Sequence, residues 1–239
     1  MSKKIYISPS NQNANTYASG GTNEKVQCHK IAAACAAALT KSGFNVKCTY
    51  NDIMEERVKE SNAFGADVHI AIHTNATAAH KTTGGTQILL YDLNGERKKI
   101  GQAVFNRLAP LTPGKSAERL VEKPDFYEVN SAAGITVYCE CEFHDTKEGA
   151  DFIIKNTGAI GEAIAQGVCD YYGVKFVSAV NKEAEKKTAA EEKTAAESPS
   201  DSAKTLYTIQ CGAFAVKKNA EAYVKKLKAA GFDAFITKK

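Results

Sequence analysis

The chain has 239 residues, 44% hydrophobic and 24% charged, with a formal net charge of +4. That length suits one full domain plus a smaller unit, and no apolar run approaches the ~20 residues that a membrane-spanning helix needs. Residues 204–239 hold eight Lys against two acids, residues 181–203 hold four Lys against six acids, and residues 1–180 balance, so any anionic partner is expected to meet the tail first; no nucleic-acid partner is expected.

The N-terminus, Met1-Ser-Lys-Lys-Ile-Tyr-Ile-Ser-Pro9, enters a strand directly after its lysines. It reads as having no secretory signal, hence as a protein made in the cytoplasm. Lys4–Ser8 is that first strand, and Pro9-Ser-Asn-Gln12 ends it, because Pro cannot donate to a ladder and Ser and Asn favour turns. A polar loop closed by Gly20-Gly21 leads to Asn23, a predicted N-cap. The helix after it carries Cys28, Ile31, Ala32, Cys35, Ala38 and Leu39 on one face and stops at Gly43.

Strand and helix then alternate. Phe44–Tyr50 is a strand, Glu55–Phe64 a helix, Asp67–His73 a strand, Thr86–Tyr91 a strand and Lys98–Leu108 a helix. Pro110 and Pro113 interrupt regular structure after that helix. Ile135–Phe143 is a strand, and residues 147–172 form a helix with a break near Gly158. This order predicts an α/β fold: a twisted, mostly parallel sheet flanked by helices, over residues 1–175. Residues 176–203, rich in Ala, Glu and Lys, read as a charged linker. Residues 204–239 read as a small C-terminal βαβ unit, with strands at 206–214 and 232–237 around a helix at 219–230. The seven cysteines form no Cys-x-x-Cys pair and read as reduced thiols packed as small hydrophobes.

Three places carry chemistry. In Asp67–Ala76, Val68, Ile70 and Ile72 alternate with His69, Ala71 and His73, so His73 ends a buried strand. Open α/β sheets place ligand sites at such strand ends. A lone histidine there is more often just satisfied by a carbonyl. Glu24 falls in the first turn of its helix, where free N–H groups stabilise a carboxylate. Glu140 and Glu142 share one face of a strand whose other face is Cys139, Cys141 and Phe143, and such acids need pairing, hydrogen bonds or a metal. A histidine and two glutamates from three elements suit zinc, with a carboxylate left over as general base.

On Gly21-Thr-Asn-Glu-Lys25, Ile70-Ala-Ile-His-Thr-Asn-Ala76 and Tyr138-Cys-Glu-Cys-Glu-Phe-His-Asp145, residues 4–174 resemble the zinc-dependent N-acetylmuramoyl-L-alanine amidases. The resemblance implies a peptidoglycan hydrolase that cuts the amide between N-acetylmuramic acid and L-alanine. It implies Glu24 and His73 as zinc ligands, Glu140 as general base and Asn75 at the border of the site. The family's first zinc ligand is a histidine in a Pro-Gly-His context, where this chain has Pro9-Ser10-Asn11. Among replacements, His69 lies ~13 Å along the strand from His73 and His29 lies roughly 140° round the helix from Glu24. His80 is in a loop. His144, four residues past Glu140, is the expected third ligand. Asn11, Gln12, Asn75 and Glu142 are expected to line the substrate.

Residues 204–239, through Tyr207-Thr-Ile-Gln-Cys-Gly-Ala-Phe214, resemble half of a sporulation-related glycan-binding repeat. An incomplete repeat allows self-association. The reading is an endolysin-like wall hydrolase reaching peptidoglycan after lysis, with a spore or mother-cell lytic enzyme second. The rival is a non-catalytic wall-binding protein on a decayed amidase fold.

Overall fold

The computed structural model describes residues 2–77, 84–179, 217–229 and 236. They divide into two units, 1–188 and 189–239. The first is built from β1 (Lys4–Pro9), α1 (Glu24–Lys41), β2 (Asn45–Cys48), α2 (Met54–Phe64), β3 (Val68–Asn75), β4 (Gln87–Leu90), α3 (Gly95–Leu108), β5 (Arg119–Glu122), α4 (Tyr127–Ser131), β6 (Ile135–Phe143) and α5 (Lys147–Tyr172).

The six strands form one sheet in the order β2-β1-β3-β6-β4-β5. All neighbours are parallel except β4 and β6, which run antiparallel. The expected mostly parallel α/β architecture is therefore observed. The central strand β3 is buried along almost its whole length, as a strand covered on both faces must be.

Alternation along each strand separates two faces. Ile5, Ile7, Val68, Ile70, Ile72, Ile88, Val137, Cys139 and Cys141 point into an apolar core closed by α1, α3 and α5. These helices approach closely where they carry glycine. A Cβ at Gly161 would meet the Ile31 carbonyl at 2.4 Å, and one at Gly167 would meet the Val104 Cα at 2.4 Å. The opposite face, with His69, Ala71, His73 and Tyr138, is polar and is covered by α2 and α4.

α1 begins as expected: the Asn23 side chain accepts from the Val26 N–H at 3.0 Å. The α5 break falls at Asn156 (φ −122°, ψ 20°) rather than at the glycine, because the Asn156 amide donates to the Phe152 carbonyl at 2.7 Å and competes with the helix ladder. Residues 109–134, where the sequence predicts no regular element, hold β5 and α4. Both are short, and β5 is a partly exposed edge strand, so neither shows a clear period.

The six cysteines among the described residues are free. Residues 174–179 have no regular structure and belong to the first unit, where Glu162 on α5 accepts from the Ser178 hydroxyl and the Ala179 N–H. The rest of the predicted linker lies outside the described residues. In the second unit the expected helix is α6 (Lys217–Ala229). The strands predicted at 206–214 and 232–237 lie outside the described residues, apart from position 236.

Candidate active site

Three elements meet at the carboxyl end of the sheet. β3 carries His73 two residues before its carboxyl end, and the Cα partner of His73 on β6 is Glu140. The N-terminus of α1 brings Glu24 to the same point, held by the Asn23 cap and the turn before it. His73 Nδ1 and Glu24 Oε1 lie 2.9 Å apart, and both side chains are buried. The Thr74 N–H also donates to Glu24 Oε1 at 3.4 Å, and the Asn15 amide donates to Oε2 at 2.7 Å. The Tyr138 ring stacks beneath His73 with centroids 4.4 Å apart, fixing the plane of the imidazole.

The electrostatics reflect this packing. Burial raises the Glu24 carboxyl, but the hydrogen bond and charge of His73 outweigh it and hold the group below its ordinary value. Burial lowers His73, and Glu24, Glu140 and Glu128 together outweigh it and hold the imidazole above its ordinary value. Glu140 behaves in the opposite way to Glu24. Burial pushes it up to about 7, His73 pulls it down and Glu24 pushes it further up. Part of the Glu140 side chain reaches the surface, yet its Oε2 is buried with no hydrogen-bond partner among the described residues. A carboxyl that titrates near neutrality, with one oxygen unengaged, is suited to moving a proton.

The structure brings Asn75 to the site and Gln12 to its edge, and leaves Asn11 apart. Asn75 donates to Gln87 Oε1 at 3.3 Å, and Gln87 is the Cα partner of Glu140 on β4, so this amide pair borders the general-base candidate. Gln12 reaches the site indirectly: its Oε1 accepts from Asn15, which also holds Glu24. Asn11 is half-buried, and its amide donates to the Asp52 carbonyl.

Glu142 is not a lining residue. β6 is re-registered against β3 between His73 and Asn75, and Glu142 turns to the loops beside β4. Its Oε1 accepts from the Gly85 and Phe143 N–H groups at 2.6 and 2.7 Å, and its Oε2 accepts from Gly114 at 3.1 Å. Both oxygens are occupied by backbone, so the carboxylate clamps a glycine junction.

His144 is also placed differently from the expectation. Its Nδ1 pairs with the Thr74 hydroxyl at 2.9 Å, Thr74 pairs with Tyr17, and the imidazole stacks flat on the Tyr17 ring at 4.9 Å. The strand turns out of the sheet here and carries the ring against Tyr17 rather than to the Glu24–His73 pair. His29 lies against Tyr50, and His80 lies outside the described residues.

Zinc takes imidazole nitrogen and carboxylate oxygen. Glu24 and His73 supply one of each, adjacent and buried, and so fit two positions of such a site. Among the described residues no group of three His, Cys, Asp or Glu side chains is arranged to hold a metal. The third protein ligand expected at His144 is therefore not in place. Near Glu24 stands Ser10, fully buried, whose hydroxyl helps to lower the Glu24 carboxyl.

Sequence reasoning missed Ser10, Asn15, Gln87, Tyr138 and Glu128. Tyr138 was within reach, since it stands two residues before Glu140 and so on its face. The others have no periodic signal.

Known proteins share this fold and sequence pattern. Residues 5–170 match the N-acetylmuramoyl-L-alanine amidase family, and residues 203–239 match the SPOR domain. A sporulation-specific N-acetylmuramoyl-L-alanine amidase of Bacillus subtilis (strain 168) is 25% identical over 240 residues, spanning 98% of this chain and 84% of its own. The N-acetylmuramoyl-L-alanine amidase AmiC2 of Nostoc punctiforme shares the fold with a TM-score of 0.64 at 20% identity, over 72% of this chain and 97% of that one. The catalytic domain of the CD27L endolysin targeting Clostridia difficile does so with a TM-score of 0.60 at 23% identity, over 70% and 97%. With that family match over most of the chain, and a glutamate, a histidine and a second glutamate gathered at the end of the sheet, the chain belongs to the N-acetylmuramoyl-L-alanine amidases, the peptidoglycan amidases of that specificity, and carries a SPOR domain at residues 203–239.

Proposed function

We propose that the chain hydrolyses the amide between N-acetylmuramic acid and the L-alanine of the stem peptide, with Glu140 as general base and zinc as cofactor. The observation that carries the reading is Glu140 itself: a carboxyl raised to about 7, with an unengaged buried oxygen, beside the Glu24–His73 pair. Glu24 and His73 would hold the zinc, which when bound supplies Lewis acidity toward the amide carbonyl and the attacking water. Glu140 takes the proton from the water as it attacks, and returns it to the leaving alanine amine as the C–N bond breaks. Tyr138 holds the imidazole plane, and Asn75 with Gln87 presents amide groups to a substrate beside Glu140.

The SPOR domain supports peptidoglycan as partner, bound through its glycan. The name of the Bacillus subtilis relative favours a wall hydrolase acting at sporulation over phage-type lysis. One observation favours the rival, a wall-binding protein without activity. Asn11 stands in place of the family's histidine, and among the described residues no third acidic or imidazole ligand converges on the pair. Incubation of purified protein with peptidoglycan separates the two. We expect new alanine amino termini without new reducing sugar ends, stopped by chelator and restored by zinc. Wall binding with no new amino termini in zinc-supplemented buffer would establish the rival.

A further inference from the structure

We propose that Glu128 is the positioning residue of His73, holding the imidazole from the side opposite Glu24 so that Nδ1 faces the site. The proposal rests on the reading above that His73 binds the metal. Its carrying observation is an atom left over: His73 Nε2 is buried and without a hydrogen-bond partner among the described residues. The carboxylate oxygen Glu128 Oε2 stands 4.0 Å from that nitrogen.

Glu128 is itself fixed. Its Oε1 accepts from the Ser8 hydroxyl and from His69 Nε2 at 3.0 Å, and His69 Nδ1 pairs with the Ser61 hydroxyl at 2.9 Å. Those bonds come from β1, β3 and α2, and all four residues are buried. They occupy Oε1 and leave Oε2 turned to His73. Closing 4.0 Å to a hydrogen bond takes a side-chain movement of about 1 Å.

The group facing Nε2 is a carboxylate oxygen, Glu128 Oε2, whose companion Oε1 is already taken up by Ser8 and His69. An ionised carboxylate accepts hydrogen bonds and cannot donate one, so the proton of that contact belongs to Nε2. Metal-binding histidines ordinarily give their second nitrogen to a carboxylate or carbonyl, which sets the tautomer and ring orientation. Glu24 is on the Nδ1 side and Glu128 on the Nε2 side. The first can share a metal with His73, and the second can only orient it.

The test is Glu128→Gln, which keeps the side-chain size, compared with Ser8→Ala, which loosens the same packing but leaves the carboxylate. Nitrogen-15 NMR of the zinc-free protein reads the His73 ring directly. We expect a proton retained on Nε2 in wild type and Ser8→Ala and lost in Glu128→Gln. Competition of a chromophoric chelator for zinc should show a 10–100-fold weaker affinity in Glu128→Gln, and much less loss in Ser8→Ala. Equal ring spectra and equal zinc affinity in wild type and Glu128→Gln would overturn the proposal, as would equal losses in both variants. If wild type held no zinc, the cofactor reading would fail while the ring spectrum still decided the role of Glu128.

Discussion

Two regions of β6, two residues apart, hold glutamates with opposite fates: Glu142 is buried, and Glu140 is half-buried with one oxygen fully enclosed. Around Glu142 the sheet meets a junction of Gly84, Gly85 and Gly114, packed so tightly that a Cβ on Gly114 would stand 2.3 Å from Gly84. Three backbone N–H groups saturate its carboxylate there. Around Glu140 the neighbours are side chains that titrate, and one oxygen is left without a partner among the described residues. Burial of a carboxylate therefore does not mark function by itself. The mark is burial without compensation, because fold-stabilising groups are ordinarily satisfied and a catalytic one must stay free to exchange a proton.

Substitution of the two glutamates should separate these roles. Glu140→Gln is expected to lower the rate of wall hydrolysis 10²–10⁴-fold, the usual worth of general-base catalysis. It should leave the folded structure and its thermal midpoint intact or raised. A variant retaining a tenth of the wild-type release of alanine amino termini would remove Glu140 from the base role.

Glu142→Ala should do the reverse. Loss of the carboxylate strands three backbone donors, and the expected destabilisation is on the order of 3 kcal/mol, read as a lower denaturant midpoint at unchanged slope. Zinc affinity per folded molecule should stay near wild type. A stable Glu142→Ala protein with impaired turnover would place Glu142 in the active site after all.

The pH dependence of stability sharpens the contrast. Glu140 has a folded value of about 7 against 4.5 ordinarily, so the folded state binds its proton more tightly than the unfolded chain. Its stabilising contribution is complete below about pH 4.5 and is lost as pH rises through about 7. Zinc-free protein is expected to lose about 2–3 kcal/mol from this group between pH 5 and 8. Glu140→Gln should flatten that slope and Glu142→Gln should not. Parallel pH profiles for wild type and Glu140→Gln would show that the carboxyl is not raised.

A position at the border of the Glu140 region gives the smallest effect. Asn23→Ala removes the α1 cap at a cost of about 1 kcal/mol. Because Glu24 is the next residue, a modest loss of zinc affinity should accompany the lower melting temperature. Unchanged affinity would show that the position of Glu24 is set by His73 and Asn15 alone.

Local pattern was enough for much of this protein. The alternation in residues 67–73 and 135–143 identifies β3 and β6 and the face of each residue, because side-chain direction in a strand has period two. Asn23 before an apolar 3–4 repeat marks the start of α1 and so the place of Glu24. These three elements carry Glu24, His73 and Glu140, and their meeting at one end of the sheet is a consequence of parallel βαβ topology. Packing between distant segments decided the rest. Glu140 and Glu142 are equivalent by pattern, and only the glycine junction of the β4 loops distinguishes them. His144 is one residue past β6, and the exit of the chain from the sheet turned it to Tyr17. Glu128 lies in a five-residue helix shortly after Pro124, and its bond to Ser8 spans 120 positions. No periodicity reaches that far: a hydrogen bond between remote residues depends on how whole layers stack, and that exists only once the chain has folded.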